Sequence, residues 1–167
     1  MKEILDPTDY SELSGYALTL AHKFTRQSGA EIFALKVTQT AADALFTKDG
    51  QLIDSGDYDM ESIRKDMDES KTAIEGWAEK YQIPVKTVVR TGKLTEQVLH
   101  CIKKEQPDLV VMGTHGLHGL RELIADSVTE QLVRESSVPV LSLKCDRSDL
   151  EIKNIVLASR FEKASSR

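Results

Sequence analysis

The sequence predicts one α/β domain in which parallel strands alternate with helices that cover both faces of the sheet. Three observations predict this fold class. Short apolar runs recur along the chain, and segments with helical spacing of apolar residues separate them. Residues 108–112 (DLVVM) are almost wholly apolar, which is typical of a strand buried on both faces of a parallel sheet. Parallel neighbours need long crossover connections, and the intervening helices supply them.

The strands are recognised as short apolar or β-branched runs bounded by Pro, Gly or polar residues. Pro7 is expected to close the first of them, because the residue before a proline is restricted and the chain turns there. Five strands are predicted, at residues 2–6, 32–37, 84–91, 108–112 and 138–143.

The helices are recognised by apolar residues that fall on one stripe. In the first, Leu13, Ala17 and Leu20 share a face, and Gly29 marks its end. Residues 38–58 interrupt the alternation as a long irregular connection, which could shield a ligand, bind a partner or be disordered. Four helices are predicted, at residues 11–29, 60–81, 94–102 and 128–135.

Composition excludes several classes of protein. The 167 residues suffice for one domain with a core. A net charge of −5 argues against sequence-independent binding of nucleic acid. The chain has neither an apolar run long enough to span a membrane nor a secretory pattern at Met1, so we expect no membrane contact and a cytoplasmic location. Cys101 and Cys145 are accordingly expected to be reduced.

The last residues allow two interpretations. Lys153–Lys163 (KNIVLASRFEK) aligns without a gap on residues 2–12 (KEILDPTDYSE), with Ile155 on Ile4. The segment is either a C-terminal tail or the start of a second, truncated copy of the domain. We therefore predict one domain over residues 1–146, followed by a linker and this segment at 147–167.

Ligands of such sheets bind at the carboxyl ends of the strands, where the strand order reverses. The fourth predicted strand is followed there by Gly113, Gly116 and Gly119, and Ser127 precedes the next helix. Glycines let backbone N–H groups approach a polyanion, and a helix N-terminus favours one. Ser127 with Glu130 also forms a capping box, which explains the serine without any ligand.

Other polar residues have equally simple interpretations. Asp9 precedes a helix and could be a cap or turn residue. His115 and His118 lie in the glycine loop with no third ligand near them in sequence, so no metal site is predicted. No serine has a histidine at a spacing that indicates a catalytic triad.

The combined pattern resembles the universal stress protein family. In that family Gly, two residues, Gly and nine residues lead to Gly and Ser or Thr, then to a helix and a Pro-Val strand, and residues 108–143 are similar throughout. Residues 4–11 (ILDPTDYS) are similar to the family's first strand and acidic turn. The resemblance implies a five-stranded parallel, Rossmann-like sheet of the adenine nucleotide alpha hydrolase-like kind. It also implies a role in stress survival.

In ATP-binding members of that family, the acidic residue after the first strand and the glycine loop hold the nucleotide. Carried over, Asp9 would contact adenosine and Val37 would line the base pocket. Gly113, Gly116 and Ser127 would contact ribose and phosphates.

Asp126 departs from the family pattern, because nucleotide-binding members have glycine there. A carboxylate 4 Å from a phosphate costs on the order of 1 kcal/mol in water and more in a cleft. Bridging Mg²⁺ could offset this, but only together with ATP. We therefore expect ATP binding to be weak or absent.

Two functions remain open at this point. One is a stress-response binding module that acts through dimerisation, as a homodimer or as a pseudo-dimer with a tandem second domain, in either case through the last strand. The other is a slow ATP hydrolase or adenylate-handling enzyme of the same architecture. The chain carries no lysine-bearing phosphate loop and no evident base, so the sequence favours a binding module without catalytic residues. A purely structural partner domain is a third alternative.

Overall fold

Residues with strand-like patterns form one parallel sheet, and the segments between them form the helices that cover it. The computed structural model describes residues 1–38, 60–114 and 128–147, with five strands and four helices in these ranges. In chain order they are β1 (Glu3–Thr8), α1 (Glu12–Ser28), β2 (Glu31–Thr38), α2 (Met60–Lys80), β3 (Lys86–Thr91), α3 (Leu94–Glu105), β4 (Leu109–Gly113), α4 (Val128–Glu135) and β5 (Val140–Leu143).

The strands lie in the order β3-β2-β1-β4-β5, and every pair is parallel. The chain runs outward from β1 to β3 and then returns to β4 on the other side of β1. The strand order therefore reverses between β1 and β4, where ligands of doubly wound sheets bind. The predicted α/β fold with a five-stranded parallel sheet is confirmed.

Alternate residues of the central strands supply two separate cores. Ile4 packs on the face covered by α1 and α2, and Leu5 packs on the face covered by α3 and α4. Burial of both faces explains why these strands are apolar runs rather than alternating ones. The first core also contains Leu18, Ala34, Ile74 and Val111, and the second contains Leu35, Val98, Val110 and Leu132.

Helix α1 is bounded by a capping serine and a terminal glycine. Ser11 is the N-cap, and its hydroxyl accepts a hydrogen bond from the backbone N–H of Ser14 at 3.2 Å. Gly29 ends the helix in the left-handed conformation, with φ of 72°, and its N–H donates to the carbonyl of Thr25. The helix thus ends at the glycine that the sequence indicated.

Pro7 does not close β1, contrary to expectation. The strand continues beside β2 as far as the pair Thr8 and Lys36. Its pairing with β4 stops at Leu5 and Val110. The carbonyl of Glu3 accepts from the N–H of Asp108, which directly precedes β4, so the odd-numbered residues of β1 face β4. Pro7 occupies the next donor position on that side but has no N–H. The ladder with β4 therefore ends, while the ladder with β2 continues.

The remaining sequence expectations concern the cysteines, membrane-spanning helices and the segments at 38–58 and 147–167. Cys101 is buried, Cys145 is exposed, and both are free. No helix in the described ranges is long and apolar enough to cross a membrane. The connection predicted at 38–58 falls almost wholly, and the repeat at 153–163 entirely, outside the described residues. The division at residues 146 and 147 stays a prediction.

Asp6 is an exception to the apolar character of β1. It is fully buried on the α1 and α2 face, beside Ala34 of β2. Neither carboxyl oxygen has a hydrogen-bond partner among the described residues. Burial raises the pKa of Asp6 well above its usual value, since charging an unpaired buried carboxyl is costly.

We expect Asp6→Val to stabilise the fold by about 2 kcal/mol near neutral pH, because it removes an unpaired polar group. The folded chain keeps a proton on Asp6 that the unfolded chain releases above a pKa of about 4. The contribution of Asp6 to the free energy of unfolding of the wild type is therefore most favourable below that value. It declines as pH rises, until the folded pKa is passed. Urea unfolding across this pH range measures the effect.

Asp6→Asn is the matched control, since it keeps the shape and a buried polar group but cannot titrate. The difference in free energy of unfolding between wild type and Asp6→Asn should shift in favour of Asn as pH rises from about 4. A difference that stays constant across the pH range contradicts the burial of a protonated carboxyl.

Candidate functional site

A cleft opens where β1 and β4 separate. It encloses about 270 Å³, slightly less than most small-molecule sites. Its walls come from the carboxyl ends of β1, β2 and β4 and from the first turns of three helices, so it lies at the predicted edge of the sheet. The described residues that line it are Pro7, Thr8, Asp9, Ser11, Ser14, Lys36, Val37, Leu94, Met112, Gly113, Thr114, Val128 and Thr129.

Asp9 is fixed by the first turn of α1. Its Oδ1 accepts a hydrogen bond from the Ser14 hydroxyl at 2.6 Å and from the Ser11 N–H at 2.9 Å. Burial acts to raise the pKa of Asp9, but these hydrogen bonds outweigh it and the pKa lies below its usual value. The carboxylate is thus held ionised, with Oδ1 occupied. The hydrogen bonds from Ser11 and Ser14 both go to Oδ1, and a carboxylate has further lone pairs with which to accept from a ligand.

Tyr10 holds the turn that presents Asp9. Its backbone φ is 66°, which is uncommon for a residue other than glycine. Its hydroxyl donates to the carbonyl of Ser70 in α2, and its ring lies 6.1 Å from that of Trp77. Aromatic packing and this hydrogen bond offset the local strain. Helix α2 therefore supports the turn without entering the cleft.

The cleft has two chemically different sides. Val37, Leu94, Met112 and Val128 all pack with the core beneath α3 and α4, so one side is apolar. Thr8, Asp9, Ser14 and Lys36 form the other side and are polar or charged. Such a division suits a ligand with a flat apolar part joined to a hydroxylated part.

Gly113 brings the end of β4 against α1. A Cβ at this position would lie 3.0 Å from both the carbonyl carbon and the Cβ of Leu13. Packing against Leu13 therefore favours glycine here without reference to any ligand. The next residue, Thr114, donates from its N–H and its hydroxyl to the carbonyl of Leu143, which ties the rim of the cleft to β5.

The structure brings three of the five predicted site residues together. Asp9, Val37 and Gly113 line the same cleft. Gly116 and Ser127 lie outside the described residues, and so do Asp126, His115 and His118. Asp9 is a turn residue and not the cap, because the N-cap of α1 is Ser11. Within the described ranges no three His, Cys, Asp or Glu side chains are grouped to hold a metal.

Sequence reasoning missed Lys36 and Ser14. Lys36 follows four apolar residues in a buried strand, and a charge that interrupts such a run is the signal by which the sequence could have indicated it. Ser14 could not be found from spacing, because its role depends on the conformation of the turn. Its hydroxyl reaches Asp9 only because Tyr10 adopts a positive φ.

Comparison with known proteins decides the family. The model of the universal stress protein family matches residues 1–144. The chain belongs to the universal stress protein family. Universal stress protein MJ0577 of Methanocaldococcus jannaschii is 28% identical over 153 residues, covering 86% of this chain and 94% of that protein. Its solved structure superposes with a TM-score of 0.67 at 27% identity, covering 86% of this chain and 96% of that one.

More distant family members share the fold. A universal stress protein solved in complex with cAMP has a TM-score of 0.62 at 17% identity, covering 86% of this chain and 97% of that one. A family member from Arabidopsis thaliana, solved with AMP bound, has a TM-score of 0.53 at 14% identity, covering 92% and 97%. At these identities the likeness shows the common fold alone.

We expect Gly113→Ala to destabilise the domain by about 1–3 kcal/mol, because the new methyl group meets backbone atoms of Leu13 that cannot rotate away. The substitution should also displace the first turn of α1, which holds Asp9. Chemical denaturation measures the loss of stability.

Gly76→Ala is the matched control. Gly76 is exposed in the middle of α2, and no described atom lies within 4 Å of its added Cβ. Alanine there should stabilise the fold by up to about 1 kcal/mol through helix propensity. Equal effects of the two substitutions would contradict a packing role for Gly113.

Proposed function

We propose that this chain is a stress-response binding module whose cleft takes the adenosine part of an adenine nucleotide. The observation that carries the proposal is the geometry of Asp9. Its Oδ1 accepts from Ser11 and Ser14, and the Asp9 side chain lines the cleft. A fixed carboxylate at the end of β1 is suited to accept hydrogen bonds from ribose hydroxyls.

The apolar side of the cleft supports the same assignment. Val37, Leu94 and Met112 offer a flat apolar surface for a purine next to the carboxylate. Two solved family members were crystallised with adenine nucleotides, cAMP and AMP. In this assignment the base lies over Val37, the ribose at Asp9, and the 5′ substituent towards Gly113 and the start of α4.

Phosphates would be held less strongly than the nucleoside. Thr129 lines the cleft in the first turn of α4, where a helix favours an anion. Asp126 lies two residues before that helix, and its charge opposes a triphosphate. Weak binding of ATP follows, with Mg²⁺ engaged only through the phosphates of the nucleotide.

The same geometry favours a binding module over an ATP hydrolase. Among the described residues lining the cleft, Asp9 is the single acidic group. Its lowered pKa makes it a weak base, and its hydrogen bonds to Ser11 and Ser14 fix it as an acceptor. These features suit positioning of a hydroxyl better than activation of water.

We expect Asp9→Asn to lower the affinity for adenosine and for 5′-AMP by about ten-fold or more, because the amide nitrogen cannot accept from ribose hydroxyls. Asparagine keeps Oδ1 as acceptor for Ser11 and Ser14, so the turn should persist. Isothermal titration of the whole chain measures the affinities.

Asp66→Asn, on the exposed face of α2, is the control and should bind like wild type. Undiminished binding by Asp9→Asn would contradict the proposed site. In the same titrations, Asp126→Gly should strengthen ATP binding and leave adenosine binding unchanged. If wild type already binds ATP at micromolar levels and Asp126→Gly binds no better, the electrostatic objection to ATP is wrong.

We further propose that the chain assembles through β5, as a homodimer or with a tandem second domain. Within the described part of the chain β5 pairs with β4 alone and lies at one edge of the sheet. The carbonyl of Pro139 accepts from Val110 of β4, and that of Leu143 accepts from Thr114 directly after β4. The intervening residues Val140 and Ser142 therefore direct their backbone groups to the open edge. On the neighbouring helix Val133 is 58% exposed. An edge strand beside exposed apolar surface suits pairing with another chain.

Ser142→Pro tests this assembly, because it removes one outward N–H without touching the β4 ladder. We expect the variant to be monomeric where the wild type is dimeric, by analytical ultracentrifugation. Ser142→Ala keeps the N–H and should assemble like wild type. A monomeric wild type would contradict the homodimer.

A further inference from the structure

Lys36 is a charged side chain that the assignment of adenosine to the cleft does not use. Lys36 lies near the carboxyl end of β2, pairs in register with Thr8 of β1 and lines the cleft. Its Nζ lies 4.2 Å from the centroid of the Tyr10 ring. Burial lowers the pKa of Lys36, while the charge of Asp9 acts in the opposite direction. The ammonium is thus held in a half-buried position beside the carboxylate.

Among the described residues, none accepts a hydrogen bond from the Lys36 ammonium. No hydrogen bond and no ion pair within 4 Å joins Lys36 to another described residue, and the ring of Tyr10 contacts only its charge. Lysine carries three donors, and a half-buried cation gains more from an anionic acceptor than an exposed one does. The donors are therefore available to a group of the ligand.

The strand order decides which part of the ligand Lys36 can reach. Strand β2 lies on the side of β1 opposite to β4. The 5′ substituent of the ligand extends towards β4 and α4, away from Lys36. Asp9 lies between the two, at the hydroxyl side of the ribose. The base over Val37 lies on the other face of β2, because Val37 packs with the core beneath α3 and α4 whereas Lys36 lies over Tyr10, which packs against the opposite core. The part of the ligand nearest to Lys36 is therefore the ribose edge at Asp9, which carries O2′ and O3′.

We propose that Lys36 makes the cleft selective for adenosine ligands that carry a phosphate monoester on O2′ or O3′ of the ribose. This inference rests on the proposed binding of adenosine. A carboxylate that reads ribose hydroxyls and a neighbouring cation that accepts a ribose phosphate are the two elements by which dinucleotide sites distinguish their cofactors. Here one cleft contains both.

The charge of Asp9 does not prevent such binding. Its Oδ1 already accepts hydrogen bonds from Ser11 and Ser14, and these two donors partly compensate the negative charge of the carboxylate. Asp9 and Lys36 together are neutral, so a phosphate meets no net negative charge at this end of the cleft. The phosphate also gives the ammonium its first charge-assisted hydrogen bonds.

The test is isothermal titration of the whole chain with adenosine, 5′-AMP, 2′-AMP and 3′-AMP. We expect the wild type to bind 2′-AMP or 3′-AMP about ten-fold more tightly than adenosine, and added salt to reduce this gain. The isomer that shows the gain identifies the oxygen. Lys36→Met should abolish the gain, measured as the ratio of the affinity for 2′-AMP or 3′-AMP to the affinity of the same variant for adenosine, and Lys36→Arg should retain it.

Lys80→Met is the matched control. Lys80 also lies over a tyrosine ring, 5.7 Å from the centroid of Tyr81, but it does not line the cleft. It should keep the full gain. The comparison of the four ligands on the wild type does not depend on whether any variant folds.

The possible failures are distinguishable. If adenosine and 5′-AMP bind through Asp9 but neither 2′-AMP nor 3′-AMP binds more tightly than adenosine, the role of Lys36 is wrong and the proposed function stands. An equal gain in wild type and Lys36→Met also overturns it. If none of the four compounds binds, both proposals are wrong.

Discussion

The site depends on the way β1 is shared between its two neighbours. As the central strand, β1 pairs with β2 along its whole length but with β4 only as far as Leu5. Pro7 lacks the N–H that would extend the second ladder. The two strands separate beyond that point, and the cleft lies in the gap. One missing backbone donor thus converts a continuous sheet into a sheet with a binding cleft.

The turn after β1 links the packing of α1 and α2 to the position of Asp9 in the cleft. Tyr10 is held in a positive φ by its contacts with Ser70 and Trp77 of α2. That conformation directs Asp9 towards Ser11 and Ser14 at the start of α1. A carboxylate fixed in this way loses little further entropy when a ligand binds. Helix α2 supplies no described residue to the cleft lining, yet it contributes to the fixed position of the Asp9 carboxylate.

Asp6 of β1 and Lys36 of β2 are charged residue types in apolar strands, and they differ in how deeply they are buried. Asp6 is sealed in the core without a partner, so it costs stability and is held in its neutral form. Lys36 is at the carboxyl end of β2, where its charge can be solvated or met by a ligand. Departures from an apolar pattern are expected at functional positions. Only the second of these departures reaches the cleft.

The sequence alone determined the fold class, the order of the nine elements and the edge of the sheet where the cleft lies. Hydrophobic periodicity and the alternation of strands and helices are local properties, and the rules of parallel sheets leave few ways to assemble them. The family resemblance also predicted Asp9, Val37 and Gly113 as site residues, and the structure places these three in one cleft. The roles of Ser14, Tyr10 and Lys36 were decided by tertiary structure. Each depends on a contact between segments or on a backbone conformation that α2 stabilises, and no spacing in the chain encodes such a contact.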